Sequence, residues 1–185
     1  SLCGTDIGGF AGEPDGELYT RWLQLAVFHP VMRAHSMGSH ASGDSIEVEE
    51  AHDLMEEVTH PETATTVEAT PQPEPKASAV DGQEPWAFGE KWTEIARKAI
   101  ELRYCLLPVL YTAMWRNRQD GTPVLRHLAF ADELDPKLWD QERDFLFGEH
   151  LLVSPVVQTK VQRQMVYLPR GDWYYFWTGQ PTNGE

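Results

Sequence analysis

The 185-residue sequence has only two cysteines, Cys3 and Cys105, and no CxxC pair. They lie far apart in unrelated contexts, without the spacing of a disulfide framework or a cysteine zinc site, so both read as buried thiols, a single disulfide between them being the alternative. No apolar run approaches the roughly 18–20 residues that span a bilayer, so no membrane segment is expected. A GxSxG elbow, a P-loop, a dinucleotide fingerprint and an HExxH pair are all absent, and no cofactor is implied. The histidines at 29, 35, 40, 52 and 60 match no zinc spacing, so no metal is expected either. No basic patch with interleaved aromatics exists to neutralise phosphates, which argues against a nucleic-acid partner.

Acid, by contrast, is plentiful and local. The formal net charge is −14, yet Met37 to Glu84 hold twelve acids and one lysine, leaving 17 acids and 14 bases in the other 137 residues. The same stretch, from 37 to 83, has no aromatic residue and is rich in Glu, Thr, Ser, Ala and Pro. Such a composition cannot bury enough apolar surface to offset chain entropy. Residues 37–84 therefore read as an acidic flexible insertion, with at most a marginal helix through Ile46, Ala51, Leu54, Met55 and Val58.

The flanking sequence is patterned. "SLCGTDI" reads as a short buried strand followed by a glycine turn. "DGELYTRWLQLAVF" reads as a helix with Leu18, Trp22, Leu25 and Phe28 on one stripe, Asp15 as N-cap and Pro30 as stop. "VMRAHS" is a second extended stretch. Residues 1–36 thus run strand, helix, strand, the rhythm of an α/β barrel or doubly wound sheet. In 85–120 a long helix carries Trp92, Ile95, Ala99, Leu102, Leu106 and Leu110, kinked by Pro108 and ended by Gly121. Beyond it "PVLRHLAF", "HLLVSPVV", "RQMVYLP" and "DWYYFW" read as short strands, with a helical turn or two from Trp139 to Phe147. Residues 121–185 are accordingly expected to begin an antiparallel β-sandwich. Most of the seven tryptophans read as core.

Three residues stand out as candidate ligand contacts. Asp6 in "GTDIGGFAG" sits at the end of the first strand, where barrel folds carry their sites. A carboxylate there either caps the turn of Gly8 and Gly9 or accepts two donors side by side, as vicinal sugar hydroxyls would supply. Phe10 is brought back beside it by the turn. His35 closes "RAH" at the end of the next strand, on the same rim; a lone histidine is more often packed than functional, and the alternative is a ligand-facing imidazole that donates to one hydroxyl and accepts from another. Arg33, on the same strand face, could pair with a carboxylate and reads as structural.

In series, "GTDIGGFAG", "ELYTRWLQLAVFHPVMRAHS", "EPWAFGE", "LRYCLLPVLYTAMW", "GTPVLRHLAF", "LFGEHLLVSPVV" and "YLPRGDWYYFWTG" closely resemble the later part of glycoside hydrolase family 31, the α-glucosidase and α-xylosidase group. The resemblance covers all but residues 37–83. It implies the C-terminal portion of a (β/α)8 TIM barrel over residues 1 to about 120, then the start of a β-sandwich, in a fragment of a larger protein. It further implies that Asp6 and Phe10 (the GxDIxGF motif) and His35 (the R-x-H motif) line the subsite on the non-reducing side of the scissile bond. The expected partner is an oligosaccharide, and the expected activity is retaining hydrolysis of terminal α-glucosidic bonds. The catalytic carboxylate pair would come from strands ahead of this motif, leaving these residues alone inactive. A noncatalytic carbohydrate-binding homologue, an α-xylosidase or transglycosidase, and an interaction protein whose acidic insertion is the functional part are the alternatives. Two departures from the family pattern are the long insertion after "RAHS" and His127 where proline is common.

Overall fold

The computed structural model describes residues 3–36, 82–161 and 163–183. The expected helix through Ile46 and Val58, the rest of the insertion up to Asp81, and His40, His52 and His60 lie outside the described residues.

Helix α1 (Gly16–Ala26) begins where the Asp15 carboxylate accepts from the Leu18 amide at 2.7 Å, one of the donors a helix start leaves unpaired. Its buried face is Gly16, Tyr19, Thr20, Leu23 and Ala26, about one position round from the expected stripe. Leu18 is exposed, and Trp22, Leu25 and Phe28 are only half-buried. Helix α2 (Glu90–Asp120) packs close at the start of this face: Gly16 lies directly against the Trp92 ring, and no Cβ would fit between them. Further along the same face, Tyr19 and Leu23 fill the core.

Helix α2 runs 31 residues, continues through Pro108, and ends on Gly121 in the left-handed conformation at φ 79°. Only glycine adopts that conformation without steric cost, and its amide closes on the Asn117 carbonyl at 2.9 Å. The inward face carries Ala96, Ala99, Leu106, Leu110 and Ala113. The tryptophans stay outside this row: Trp86, Trp115, Trp139 and Trp177 are exposed and none of the seven is fully buried, contrary to the sequence expectation. The cysteines are also corrected. Cys3 and Cys105 are free and exposed, Cys105 because it lies one residue off the inward row.

The expected first strand shrinks to a single parallel bridge, Asp6 with Arg33. It is flanked by hydrogen bonds from the Ile7 amide to the Arg33 carbonyl (3.0 Å) and from the Val31 amide to the Cys3 carbonyl (3.1 Å). Ile7 is buried, but Cys3 to Thr5 are exposed, since among the described residues nothing else lies alongside to extend the pairing. Beyond α2, β1 (Leu125–His127), β2 (Phe145–Phe147) and β3 (Leu151–Val153) form an antiparallel sheet in that order, with α3 (Pro136–Trp139) between the first two. Strand β2 lies where helix was expected through Phe147. Its three residues alternate, Phe147 toward the main core and Leu146 toward a second cluster with Leu128 and Leu138. "RQMVYLP" forms no strand. A separate hairpin pairs β4 (Asp172–Tyr174) with β5 (Pro181–Asn183).

The main core is continuous. Ile7, Tyr19, Leu23 and Val27 join Ala99, Leu106 and Leu110 of α2, then Val124, Phe147 and Val153 of the sheet. No helix among the described residues is long and apolar enough to cross a membrane.

Candidate functional site

The chain reverses at Asp6–Ile7–Gly8–Gly9, where the Gly9 amide donates to the Asp6 carbonyl at 2.9 Å. Gly8 stands third in this turn at φ 87°, a left-handed value that type II geometry demands and glycine meets without penalty. Gly9 follows at φ 91°. Space forbids a side chain as well: a Cβ on Gly8 would lie 2.5 Å from Gln83 Oε1 and 3.0 Å from the Tyr19 ring. The paired glycines thus let the backbone pass under its neighbours, with Asp6 before the reversal and Phe10 after it.

The Asp6 carboxylate is engaged. Arg33 Nε donates to Asp6 Oδ1 at 2.7 Å, across the same bridge that pairs their backbones. Asp6 Oδ2 has no hydrogen bond among the described residues, and the Asp6 side chain is 22% exposed. Phe10, 47% exposed, lies against the His35 ring with centroids 5.4 Å apart and planes inclined at 32°. The structure therefore joins the three expected residues in two pairs, Asp6 with Arg33 and Phe10 with His35, from adjoining stretches of chain. They form an open rim. A groove of about 570 Å³ walled by Pro85, Trp86, Ile100 and Tyr104 contains none of them.

Supports come from α1 and from the start of the next segment. Trp22 Nε1 donates to Thr5 Oγ1 at 2.6 Å, tying α1 to the residue before Asp6. Gln83 Nε2 donates to the Gly9 carbonyl at 3.1 Å. Below the turn, Tyr19 stacks on Phe88 at 4.6 Å, and its buried hydroxyl has no partner among the described residues. Burial, aided by the charge of Glu84, pushes its pKa up to about 12, so it stays a neutral phenol. Arg103 of α2 fixes the path out of α1, donating to the carbonyls of Val27 (2.6 Å), His29 (2.7 Å) and Pro30 (3.2 Å). Val27 is the C-cap of α1, and His29 and Pro30 lie just beyond it; a guanidinium with several N–H groups is suited to gather such carbonyls. Burial, and then the charge of Arg103, hold the His29 imidazole below its usual 6.5.

Gln83 and Arg103 were not singled out in the sequence. Gln83 sits inside the stretch read as insertion, and Arg103 carries no reading there; each acts on backbone 73 or more residues away. His127 is explained as a cap: its Nδ1 accepts from the Ala129 amide at 3.2 Å, starting a 3-10 turn.

This reversal and rim sit in a chain whose family is clear. Residues 1–60 and 76–113 match the glycosyl hydrolases family 31 TIM-barrel domain, and residues 121–185 match the glycosyl hydrolase family 31 C-terminal domain. The chain belongs to glycosyl hydrolase family 31. It is 33% identical over 184 residues to alpha-glucosidase 2 of Bacillus thermoamyloliquefaciens, covering 100% of this chain and 18% of that protein. It is 28% identical to an alpha-xylosidase of Saccharolobus solfataricus, covering 97% and 20% respectively. A family 31 dextranase of Flavobacterium johnsoniae, solved with isomaltotriose, superposes with a TM-score of 0.70 at 31% identity over 97% of this chain and 18% of its own. The chain thus spans about a fifth of the length of these relatives. The break in the barrel match, residues 61–75, falls inside the acidic insertion.

Proposed function

We propose that this chain supplies the sugar-holding rim of a retaining α-glycosidase acting on terminal α-glucosidic bonds. Asp6, Phe10 and His35 bind the ring on the non-reducing side of the scissile bond. The observation that carries this reading is the half-engaged carboxylate: Arg33 takes Asp6 Oδ1 and Oδ2 has no hydrogen bond among the described residues, while the exposed Phe10 lies against His35. An ionised carboxylate accepts strongly from hydroxyls. An aromatic face covers the apolar C–H side of a sugar, and an imidazole both donates and accepts. The alpha-glucosidase, alpha-xylosidase and isomaltotriose-bound dextranase among its relatives support an α-linked substrate.

Retention requires two carboxyl groups about 5–5.5 Å apart, one attacking the anomeric carbon while the other protonates the leaving oxygen and then activates water. Asp6 takes neither role, because one of its oxygens is held by a guanidinium and its motif position is a binding one. That pair belongs to the barrel ahead of the GxDIxGF turn. Residues 1–36 and 85–120 act as barrel, 121–185 as the opening of the sandwich, and 37–84 as an insertion between them. The test is titration of the 185-residue chain with isomaltose, followed by NMR at the Phe10 and His35 rings. Saturable shifts that disappear in Asp6→Ala, with no turnover of an aryl α-glucoside, are expected. Turnover by this chain that is lost in Asp6→Ala would overturn the assignment of Asp6 to binding.

A further inference from the structure

We propose that Gln83 is a positioning residue for the sugar rim: its side-chain amide fixes the Gly9–Phe10 peptide and thereby aims the Phe10 ring at His35. The inference rests on the sugar-binding reading for its consequence, but on separate geometry for its cause. Two successive glycines with positive φ leave the path into the following peptide loosely restricted, because neither Gly8 nor Gly9 carries a Cβ. A turn built this way needs an external hold to present one ring in one place. Gln83 Nε2 is that hold, donating at 3.1 Å to the carbonyl of Gly9, the carbonyl of the peptide that leads into Phe10.

The orientation of the amide is decided by this bond. Gln83 Oε1 is buried and has no partner among the described residues, and a Cβ on Gly8 would lie only 2.5 Å from it. Turning the amide over would set that oxygen against the Gly9 carbonyl, acceptor against acceptor. The segment that follows Gln83 is anchored from below. The next turn closes through Ala87 N to Glu84 O at 2.9 Å, and Phe88 stacks on Tyr19 of α1. The hold thus runs from the helix, through one stacked pair and one amide, to the aromatic that faces the ligand.

The test uses the full chain with isomaltose as probe, and Gln83→Met, which keeps side-chain length but cannot donate. Expected are loss of the nuclear Overhauser contact between the Phe10 and His35 rings, faster exchange of the Phe10 amide, and isomaltose binding weakened about tenfold. Exchange at Leu23 and Leu106 should stay at the parent rate, which separates positioning from general loosening. Gln83→Glu, matching the shape but presenting only acceptors, should behave like the methionine variant. Should Gln83→Met keep the ring contact and bind within twofold of the parent while Asp6→Ala does not bind, the proposal is overturned. Should the parent itself not bind isomaltose, the sugar reading fails, and the ring contact and amide exchange in Gln83→Met still decide for or against the hold.

Discussion

At the scale of single residues, the Asp6–Arg33 pair has to be judged by where it matters. Arg33 is 59% exposed, and such pairs contribute only about 0–1 kcal/mol to stability because water and salt screen them. Under the proposed sugar reading its larger effect is on orientation, since it fixes which Asp6 oxygen would meet a ligand. Arg33→Met should therefore change the unfolding midpoint by less than about 4 °C, taking at most about 1 kcal/mol in a chain of this size. It should weaken isomaltose binding about tenfold, or about 1.4 kcal/mol, read by titration. His29 makes a pH prediction. Its folded pKa lies below 6.5, so above that value neither state carries the proton and nothing is lost. As pH falls through 6.5 the unfolded chain takes up a proton that the folded chain resists, and stability drops. Melting from about pH 7.5 to about 5.5 should fall less steeply in His29→Gln than in the parent.

Among elements, the reversal after Asp6 and the exit of α1 depend on residues distant in sequence. Gly8→Ala forces a Cβ into a left-handed position, at about 1–2 kcal/mol, and drives it onto Gln83. A lowered midpoint together with loss of the Phe10–His35 contact is the expected result. Arg103→Met strands three carbonyls at once. With hydrogen bonds to charged groups contributing about 1.5–3 kcal/mol each and water replacing part of that, a loss of about 3 kcal/mol is expected in urea unfolding. The sequence made the helices legible, since α1 and α2 carry a helical period, a capping Asp15 and a terminating Gly121. It also made legible the meeting of Asp6 with the Arg33–His35 stretch, through the strand–turn–helix–strand order. It did not make β2 legible, because three apolar residues between Asp144 and Gly148 carry too little period to tell strand from helix. Nor did it mark Gln83 and Arg103, whose roles exist only once remote backbone is brought to them.

Across the whole molecule, the family match divides the chain between residues 113 and 121, but the packing does not divide there. Leu110 and Ala113 of α2 share one core with Val124, Phe147 and Val153. Glu149, beside the β2–β3 turn, pairs with Arg116 of α2 and lies 3.7 Å from Arg126 of β1. Calorimetry should accordingly record one unfolding transition for residues on both sides of the division, with Glu149→Gln lowering it slightly and leaving it single. Two separated transitions would contradict the shared core. Anyone exchanging C-terminal portions between relatives would therefore do better to cut upstream of α2 than at Gly121. A graft that brings its own long helix keeps both halves of the greasy seam matched, whereas one spliced at the glycine asks foreign strands to fit a surface shaped for others.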